Sequence, residues 1–174
     1  MAIIVIDMLR GFLEKGNPLF CGSESRKIIE PVRNLLCERK GKETFIFLRD
    51  EHNEKDPEFR VFPKHCIKGS SECEVIPELK EYWKGGVDVP KTRFSGFYNS
   101  PLDSILKENV ACNEIITVTG VCTDICVMYT SSDLRSRDYE VVIPANCVMS
   151  FNKKAHEFAL NHMEKILGVK IKYS

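Results

Sequence analysis

Residues 114–126 read Glu114-Ile115-Ile116-Thr117-Val118-Thr119-Gly120-Val121-Cys122-Thr123-Asp124-Ile125-Cys126. The apolar, β-branched residues at the start of this segment are typical of a buried strand. Residues 123–137 then carry apolar side chains three and four apart, which predicts an amphipathic helix. Gly120 suits the tight turn between the two, because glycine adopts backbone angles that other residues avoid. The segment therefore predicts a strand, 114–118, that turns directly into a helix.

The same alternation of short apolar runs and helical patterns extends over the whole chain. Further strands are predicted at residues 2–6, 44–48, 87–89, 140–143 and 169–171, and further helices at 25–39, 74–82, 101–108 and 153–167. Alternating strands and helices imply right-handed crossovers, which produce a mostly parallel sheet. We therefore predict an α/β, three-layer, doubly wound fold, with a six-stranded sheet flanked by helices on both faces.

The composition indicates one globular domain, residues 1–174. The chain has 174 residues, 43% of them hydrophobic and 29% charged, and a chain of this length can bury a sizeable core without disulfides. Its 25 Lys and Arg residues balance its 25 Asp and Glu residues, so the formal net charge is zero. Non-specific binding to nucleic acid or to an anionic membrane requires excess positive charge, and we expect neither partner. A small neutral molecule is the expected partner.

The expected compartment is the cytoplasm. The apolar residues 1–6 are too few to span a membrane, and no basic segment precedes them, so no signal peptide is predicted. Thiols stay reduced in the cytoplasm, and we expect the cysteines to be free thiols, ligands or nucleophiles rather than a disulfide framework. The eight cysteines are Cys21, Cys37, Cys66, Cys73, Cys112, Cys122, Cys126 and Cys147.

Polar side chains follow four of the predicted strands. Asp7 follows the first strand, residues 49–52 end the second, Lys91 follows the third, and Cys122 and Cys126 follow the fourth. Ligands of open α/β sheets bind beyond the carboxyl ends of the strands. A thiolate is favoured by a helix N-terminus, a cation and a base, and Cys126 would have all three. The spacing does not choose between the two thiols, which could both be buried packing residues.

A long region without periodicity, residues 49–73, follows the second strand. A loop of this length in a compact domain is usually functional. The alternative is a solvated polar loop, since the charged residues 54–56 are typical of a protein surface.

This loop contains a candidate metal site. Asp50 and His52 are two apart on extended backbone, so their side chains point the same way, and the loop can return Glu58 or His65 to the same ion. Carboxylate and imidazole ligands suit zinc, iron or manganese. We therefore expect one divalent metal ion here, zinc first, with iron or manganese as alternatives.

Three segments carry a resemblance to a known family. Residues 5–8 (Val-Ile-Asp-Met), 91–97 (Lys-Thr-Arg-Phe-Ser-Gly-Phe) and 120–127 (Gly-Val-Cys-Thr-Asp-Ile-Cys-Val) closely resemble the isochorismatase-like cysteine hydrolases, and the match runs through nearly the whole chain. The resemblance implies activity on a small amide and an oligomeric state of dimer or tetramer.

The family's catalytic residues fall on specific positions of this chain. The resemblance implies a catalytic triad of Asp7, Lys91 and Cys126. It also implies an oxyanion hole formed by the backbone amides of Cys122 and Cys126, and a cis peptide bond between Val121 and Cys122.

The loop after the second strand is similar to that of the nicotinamidase and pyrazinamidase branch. That branch has an Asp-x-His pair followed by a Pro-x-His motif, which matches Asp50, His52 and His65. Some members add a Glu seven residues before the last His, which is Glu58 here. In this branch the metal anchors the pyridine nitrogen of the substrate. The aromatic residues that the branch places around the pyridine ring correspond to Phe12, Phe62 and Phe94, which could equally be core residues.

The resemblance therefore implies a nicotinamidase, which hydrolyses nicotinamide to nicotinate and ammonia through a thioester on Cys126, in NAD salvage. The alternatives are an amidase of the family for another small amide or carbamoyl compound, a zinc hydrolase that uses metal-bound water, and a non-catalytic member that keeps the fold. Isochorismate hydrolysis is disfavoured, since enzymes with that activity resemble this family but lack the nucleophilic cysteine.

Overall fold

A parallel β-sheet forms the centre of the molecule. The computed structural model describes residues 1–111 and 114–173, so Cys112 lies outside the described residues. Within these ranges the sheet has seven strands: β1 Ala2–Ile6, β2 Thr44–Asp50, β3 Val87–Lys91, β4 Ile115–Val121, β5 Glu140–Pro144, β6 Val148–Met149 and β7 Lys170–Lys172. All paired strands are parallel. The predicted α/β fold is confirmed, and two-residue β6 is added to the six predicted strands.

Six α-helices lie in the described part of the chain: α1 Arg10–Leu13, α2 Ile29–Arg39, α3 Lys80–Lys84, α4 Leu102–Asn109, α5 Met128–Arg135 and α6 Lys153–Lys165. The helix predicted at 74–82 is replaced by a 3-10 turn, Pro77–Leu79, followed by α3. Pro77 has no backbone N–H and disfavours the helical region for Ile76, which is extended at φ −54° and ψ 149°. The α-helix therefore starts at Lys80 rather than at residue 74.

Successive side chains of β1 point to opposite faces of the sheet and join two separate cores. Ile3 and Val5 pack with residues of α1, α2 and α3. Ile4 and Ile6 pack with residues of α4, α5 and α6. Every residue of β1 is buried, as expected for a central parallel strand covered on both faces.

The strand order places a switch point between β1 and β4. The order is β3-β2-β1-β4-β5-β7, with β6 beside the end of β4, so the chain winds in one direction from β1 and in the other from β4. Gly120 of β4 lies opposite Ile6 of β1 and has φ +111°. A Cβ at this position would lie 1.9 Å from the Ile6 carbonyl oxygen. Only glycine allows the two strands to approach this closely at the crevice where ligands bind.

The seven described cysteines are free thiols, as predicted. No helix within residues 1–111 and 114–173 has both the length and the apolar composition that crossing a bilayer requires.

Candidate active site

Three polar side chains meet at the carboxyl edge of the sheet. Asp7 directly follows β1 and has a left-handed backbone conformation, φ 50°. Lys91 is the last residue of β3. Cys126 lies in a single π-helical turn, Thr123–Val127, that connects β4 to α5. The prediction for this region was a continuous helix, and a π-helical turn of this kind is frequent at functional sites. The structure therefore brings together the three residues that the family resemblance implied.

Lys91 is at the centre of this cluster. Its Nζ lies 2.8 Å from Asp7 Oδ2 and 3.5 Å from Cys126 Sγ, and it forms an ion pair with Asp50. The Asp7 Oδ2 contact lacks the alignment of a hydrogen bond, which leaves this oxygen able to accept a proton. Asp7 Oδ1 accepts a hydrogen bond of 2.9 Å from the Asp50 backbone N–H. All four side chains are buried.

Burial and neighbouring charges set the protonation of the cluster. Burial, with the nearby Asp50 charge, raises the pKa of Asp7 to about 6 although Lys91 opposes this shift. Burial also raises the pKa of the Cys126 thiol, and Lys91 offsets only part of the effect. Burial alone would lower the pKa of Lys91, but Asp50 and Asp7 together raise it. The cluster thus holds a neutral thiol, an ammonium and a carboxyl that exchanges protons near neutrality.

The geometry distinguishes the two cysteines of this segment. Cys126 Sγ accepts a hydrogen bond from Lys91, whereas Cys122 Sγ lies 3.6 Å from the buried thiol of Cys21. The peptide bond between Val121 and Cys122 is cis, as the family resemblance implied. Cys126 is therefore the thiol that contacts Lys91, and its role as a nucleophile stays a prediction, as does an oxyanion hole at the amides of Cys122 and Cys126.

The four predicted metal ligands also converge, beside the first cluster. His52 Nε2 lies 3.6 Å from Asp50 Oδ2 and 4.0 Å from Glu58 Oε1. His65 Nε2 lies 3.7 Å and 3.9 Å from the same two oxygens. One ligand atom from each residue lies within 4.8 Å of the others. Ligands that share one ion tetrahedrally at about 2.0 to 2.2 Å are about 3.3 to 3.6 Å apart, so small shifts of these side chains would bring all four onto one divalent metal.

The hydrogen bonding of these ligands also fits a metal ion. His52 is fully buried, and neither of its ring nitrogens has an aligned hydrogen bond. The His65 Nδ1 lies 2.8 Å from the Pro63 carbonyl oxygen, which leaves Nε2 for the ion. Phe59 packs edge-on against both imidazole rings, at 5.4 Å and 5.5 Å between ring centroids. Two imidazoles and two carboxylates in this arrangement suit zinc, iron or manganese.

A cavity of about 330 Å³ opens onto both clusters. Asp7 and Cys126 of the first cluster line it, with Asp50, Glu58 and His65 of the second. The predicted aromatic residues line it as well: they are Phe12, Phe62 and Phe94. Further lining residues that the sequence analysis missed are Leu19, Ile125 and Phe151. These lie in irregular segments or in the π-helical turn, where no periodicity marks them.

Asp56 is a further residue that sequence reasoning missed. It belongs to the charged segment that indicated a solvated loop, yet its side chain is only 7% exposed. Its carboxylate accepts a hydrogen bond from the Glu58 backbone N–H and caps the 3-10 turn Pro57–Arg60. An Asp directly before a Pro is a helix-start signal, which could have indicated this cap.

The isochorismatase domain model matches residues 1–172 of the chain. The protein belongs to the isochorismatase family. Three solved structures of this family illustrate the similarity. The nicotinamidase PncA from Bacillus subtilis is 30% identical, with a TM-score of 0.91 over 98% of this chain and 97% of that one.

Two more distant members have the same fold. The pyrazinamidase of Pyrococcus horikoshii in complex with zinc is 29% identical, with a TM-score of 0.89 over 99% of this chain and 98% of that one. The N-carbamoylsarcosine amidase from Thermoplasma acidophilum is 27% identical, with a TM-score of 0.87 over 99% and 95% of the two chains.

Proposed function

We propose that this protein is a nicotinamidase that hydrolyses nicotinamide to nicotinate and ammonia through a thioester on Cys126. The observation that carries the proposal is a cavity lined by members of both clusters: Asp7 and Cys126 of the first, and Asp50, Glu58 and His65 of the candidate metal site. Phenylalanine side chains line the same cavity and suit a flat heteroaromatic ring. The similarity to nicotinamidase PncA and to a zinc-bound pyrazinamidase supports this choice of substrate.

The first half of the proposed reaction forms the thioester. Asp7 takes the proton of the Cys126 thiol, and the sulfur attacks the carboxamide carbon. Lys91 stabilises the negative charge of the pair, which it contacts at 2.8 Å and 3.5 Å. The backbone amides of Cys122 and Cys126 donate to the oxyanion, and one such donor is worth about 2.7 to 4 kcal/mol in other enzymes. Asp7 returns its proton to the nitrogen, the C–N bond breaks, and ammonia leaves.

The second half hydrolyses the thioester. Asp7 accepts a proton from water, whose oxygen attacks the acyl carbon. The bond between the carbon and the Cys126 sulfur breaks, nicotinate is released, and the proton held by Asp7 restores the thiol. The pKa of about 6 suits Asp7 to both directions of proton transfer near neutral pH.

Asp50, His52, Glu58 and His65 would hold one divalent ion, zinc first, with iron or manganese as alternatives. When bound, this ion would supply a coordination point for the pyridine nitrogen and so orient the ring. The proposal also includes a cytoplasmic location, a role in NAD salvage and a dimeric or tetrameric state, which the family resemblance implies.

The test is ammonia release from nicotinamide by purified protein, with and without prior chelation. The expected result is metal-dependent release that Cys126→Ala lowers by at least about 10⁴-fold while its metal content is unchanged. Turnover by Cys126→Ala near the wild-type rate would reject the nucleophile and favour a hydrolase that uses metal-bound water. Absence of release by the metal-loaded wild type would reject nicotinamide as the substrate.

A second candidate function is hydrolysis of another small amide or a carbamoyl compound. It is favoured by the similarity to an N-carbamoylsarcosine amidase, since the same Asp, Lys and Cys cluster could attack a carbamoyl carbon. Purified protein without bound metal that releases ammonia from a carbamoyl compound, and not from nicotinamide, would establish this alternative.

A further inference from the structure

Asp56 contacts two of the four candidate metal ligands without being a ligand itself. Its Oδ2 lies 3.3 Å from Nδ1 of His52, and its Oδ1 accepts a 2.9 Å hydrogen bond from the backbone N–H of Glu58. Nδ1 and Nε2 lie on opposite sides of an imidazole ring, and Nε2 of His52 is the atom that faces Asp50 and Glu58. Asp56 therefore approaches the site from behind His52.

Arg93 also contacts the carboxylate of Asp56. Its Nη1 lies 2.9 Å from Asp56 Oδ1 and 3.2 Å from Oδ2, and its guanidinium lies over the ring of Tyr98 at 5.7 Å. Arg93 comes two residues after Lys91, at the exit from β3. The pair thus connects the loop that carries the metal ligands to the strand that carries the lysine of the other cluster.

The charge of Asp56 favours the His52 tautomer that carries its proton on Nδ1. A neutral imidazole binds a metal through one nitrogen only when its proton is on the other, and a carboxylate near that other nitrogen favours this tautomer. The hydrogen bond to the Glu58 backbone fixes the turn from which the Glu58 side chain points. One carboxylate can therefore orient both ligands.

We propose that Asp56, held by Arg93, is a positioning residue for the metal centre, which fixes the tautomer of His52 and the backbone of Glu58. The inference rests on the metal site in the proposed function, but not on nicotinamide being the substrate. Loss of a partner of this kind typically lowers metal affinity about 10- to 100-fold.

The test is Zn²⁺ affinity, measured by competition with a chromophoric chelator on full-length, metal-free protein. Asp56→Ala is expected to raise the Zn²⁺ dissociation constant about 10- to 100-fold. Asp56→Asn can still accept the hydrogen bond from the Glu58 backbone but has no charge beside His52. Its Zn²⁺ dissociation constant is expected to fall between those of Asp56→Ala and the wild type. Arg93→Ala is expected to lower the Zn²⁺ affinity by a smaller factor, and Arg93→Lys is expected to retain part of the lost affinity. Glu54→Gln, an exposed change in the same loop, is the matched control and should not change the affinity.

A second readout separates positioning from general loss of structure. The visible absorption of bound Co²⁺ also depends on the geometry of its ligands, so Asp56→Asn should alter that spectrum while its metal-free form melts at the wild-type temperature. A Zn²⁺ affinity of Asp56→Ala within twofold of wild type, with an unchanged Co²⁺ spectrum, would overturn the proposal, as would a wild type that binds neither ion. Failure to hydrolyse nicotinamide, with the affinity loss observed, would reject the substrate alone.

Discussion

Asp7 and Lys91 lie at the ends of strands and Cys126 lies in the turn after β4, whereas the loop after β2 carries the candidate ligands His52, Glu58 and His65. Members of both groups line one cavity. The register of the sheet places Asp50 of β2 beside Lys91 of β3, so the first group is positioned by the same backbone ladder that forms the core. The second group depends on contacts between side chains and loop backbone, such as that of His65 with the Pro63 carbonyl oxygen.

The difference teaches that the sheet positions one wall of the cavity, whereas the other wall depends on additional side-chain contacts within the loop. The strand ends bring three charged groups and a thiol together wherever this sheet forms. In the loop, Phe59 packs against both imidazoles and Asp56 lies behind His52, and these contacts can hold the ligands in place. Changes at the strand ends should therefore affect the fold or the chemistry, and changes in the loop should affect the metal.

The largest effect on stability is expected at Lys91. Lys91→Met leaves the buried carboxylates of Asp7 and Asp50 facing each other without their shared cation. Breaking a buried ion pair in this way typically costs about 3 to 5 kcal/mol. We expect a loss of this size in the free energy of unfolding, measured with urea on the metal-free protein.

Lys107→Met is the matched control, because Lys107 pairs with Asp103 on the surface of α4. Its urea midpoint should stay close to that of the wild type, since exposed ion pairs contribute little. Equal midpoints for the two variants would contradict a buried, mutually dependent cluster at the strand ends.

A smaller effect on the stability of the folded protein is expected from removing the metal. An ion that binds only the folded state at 100 times its dissociation constant adds about 2.7 kcal/mol of stability. Zn²⁺ should therefore raise the melting temperature of the wild type and of Cys126→Ala alike, and chelation should reverse the increase. His52→Ala should show no such increase. An equal Zn²⁺ effect in His52→Ala would mean that the ion binds elsewhere.

The position of the first cluster at the edge of the sheet could be predicted because it depends on local patterns. Asp7, Lys91 and Cys126 each follow an apolar run, and parallel strands place their carboxyl ends on one edge. The sequence alone did not choose between Cys122 and Cys126, because the choice depends on which thiol faces Lys91 across the sheet. The short strand β6 was missed because two residues cannot show an alternating pattern.

The side chains that contact the metal-site loop and line the cavity could not be predicted in the same way. Asp56 stands among charged residues of a polar loop, and its burial depends on Arg93, which is 37 residues away in the sequence. Leu19 and Phe151 line the cavity from distant irregular segments, where the sequence has no periodicity to indicate a buried face. Contacts of this kind are set by tertiary packing rather than by local propensity.

The central claim is that Cys126 forms a covalent acyl intermediate with nicotinamide. The most direct measurement is rapid acid quenching during turnover, followed by mass spectrometry of the peptides that contain Cys122 and Cys126. The account predicts a nicotinoyl thioester on Cys126 in the wild type and no adduct in Cys126→Ala. An adduct on Cys122, or ammonia release without any adduct and with full activity of Cys126→Ala, would contradict it.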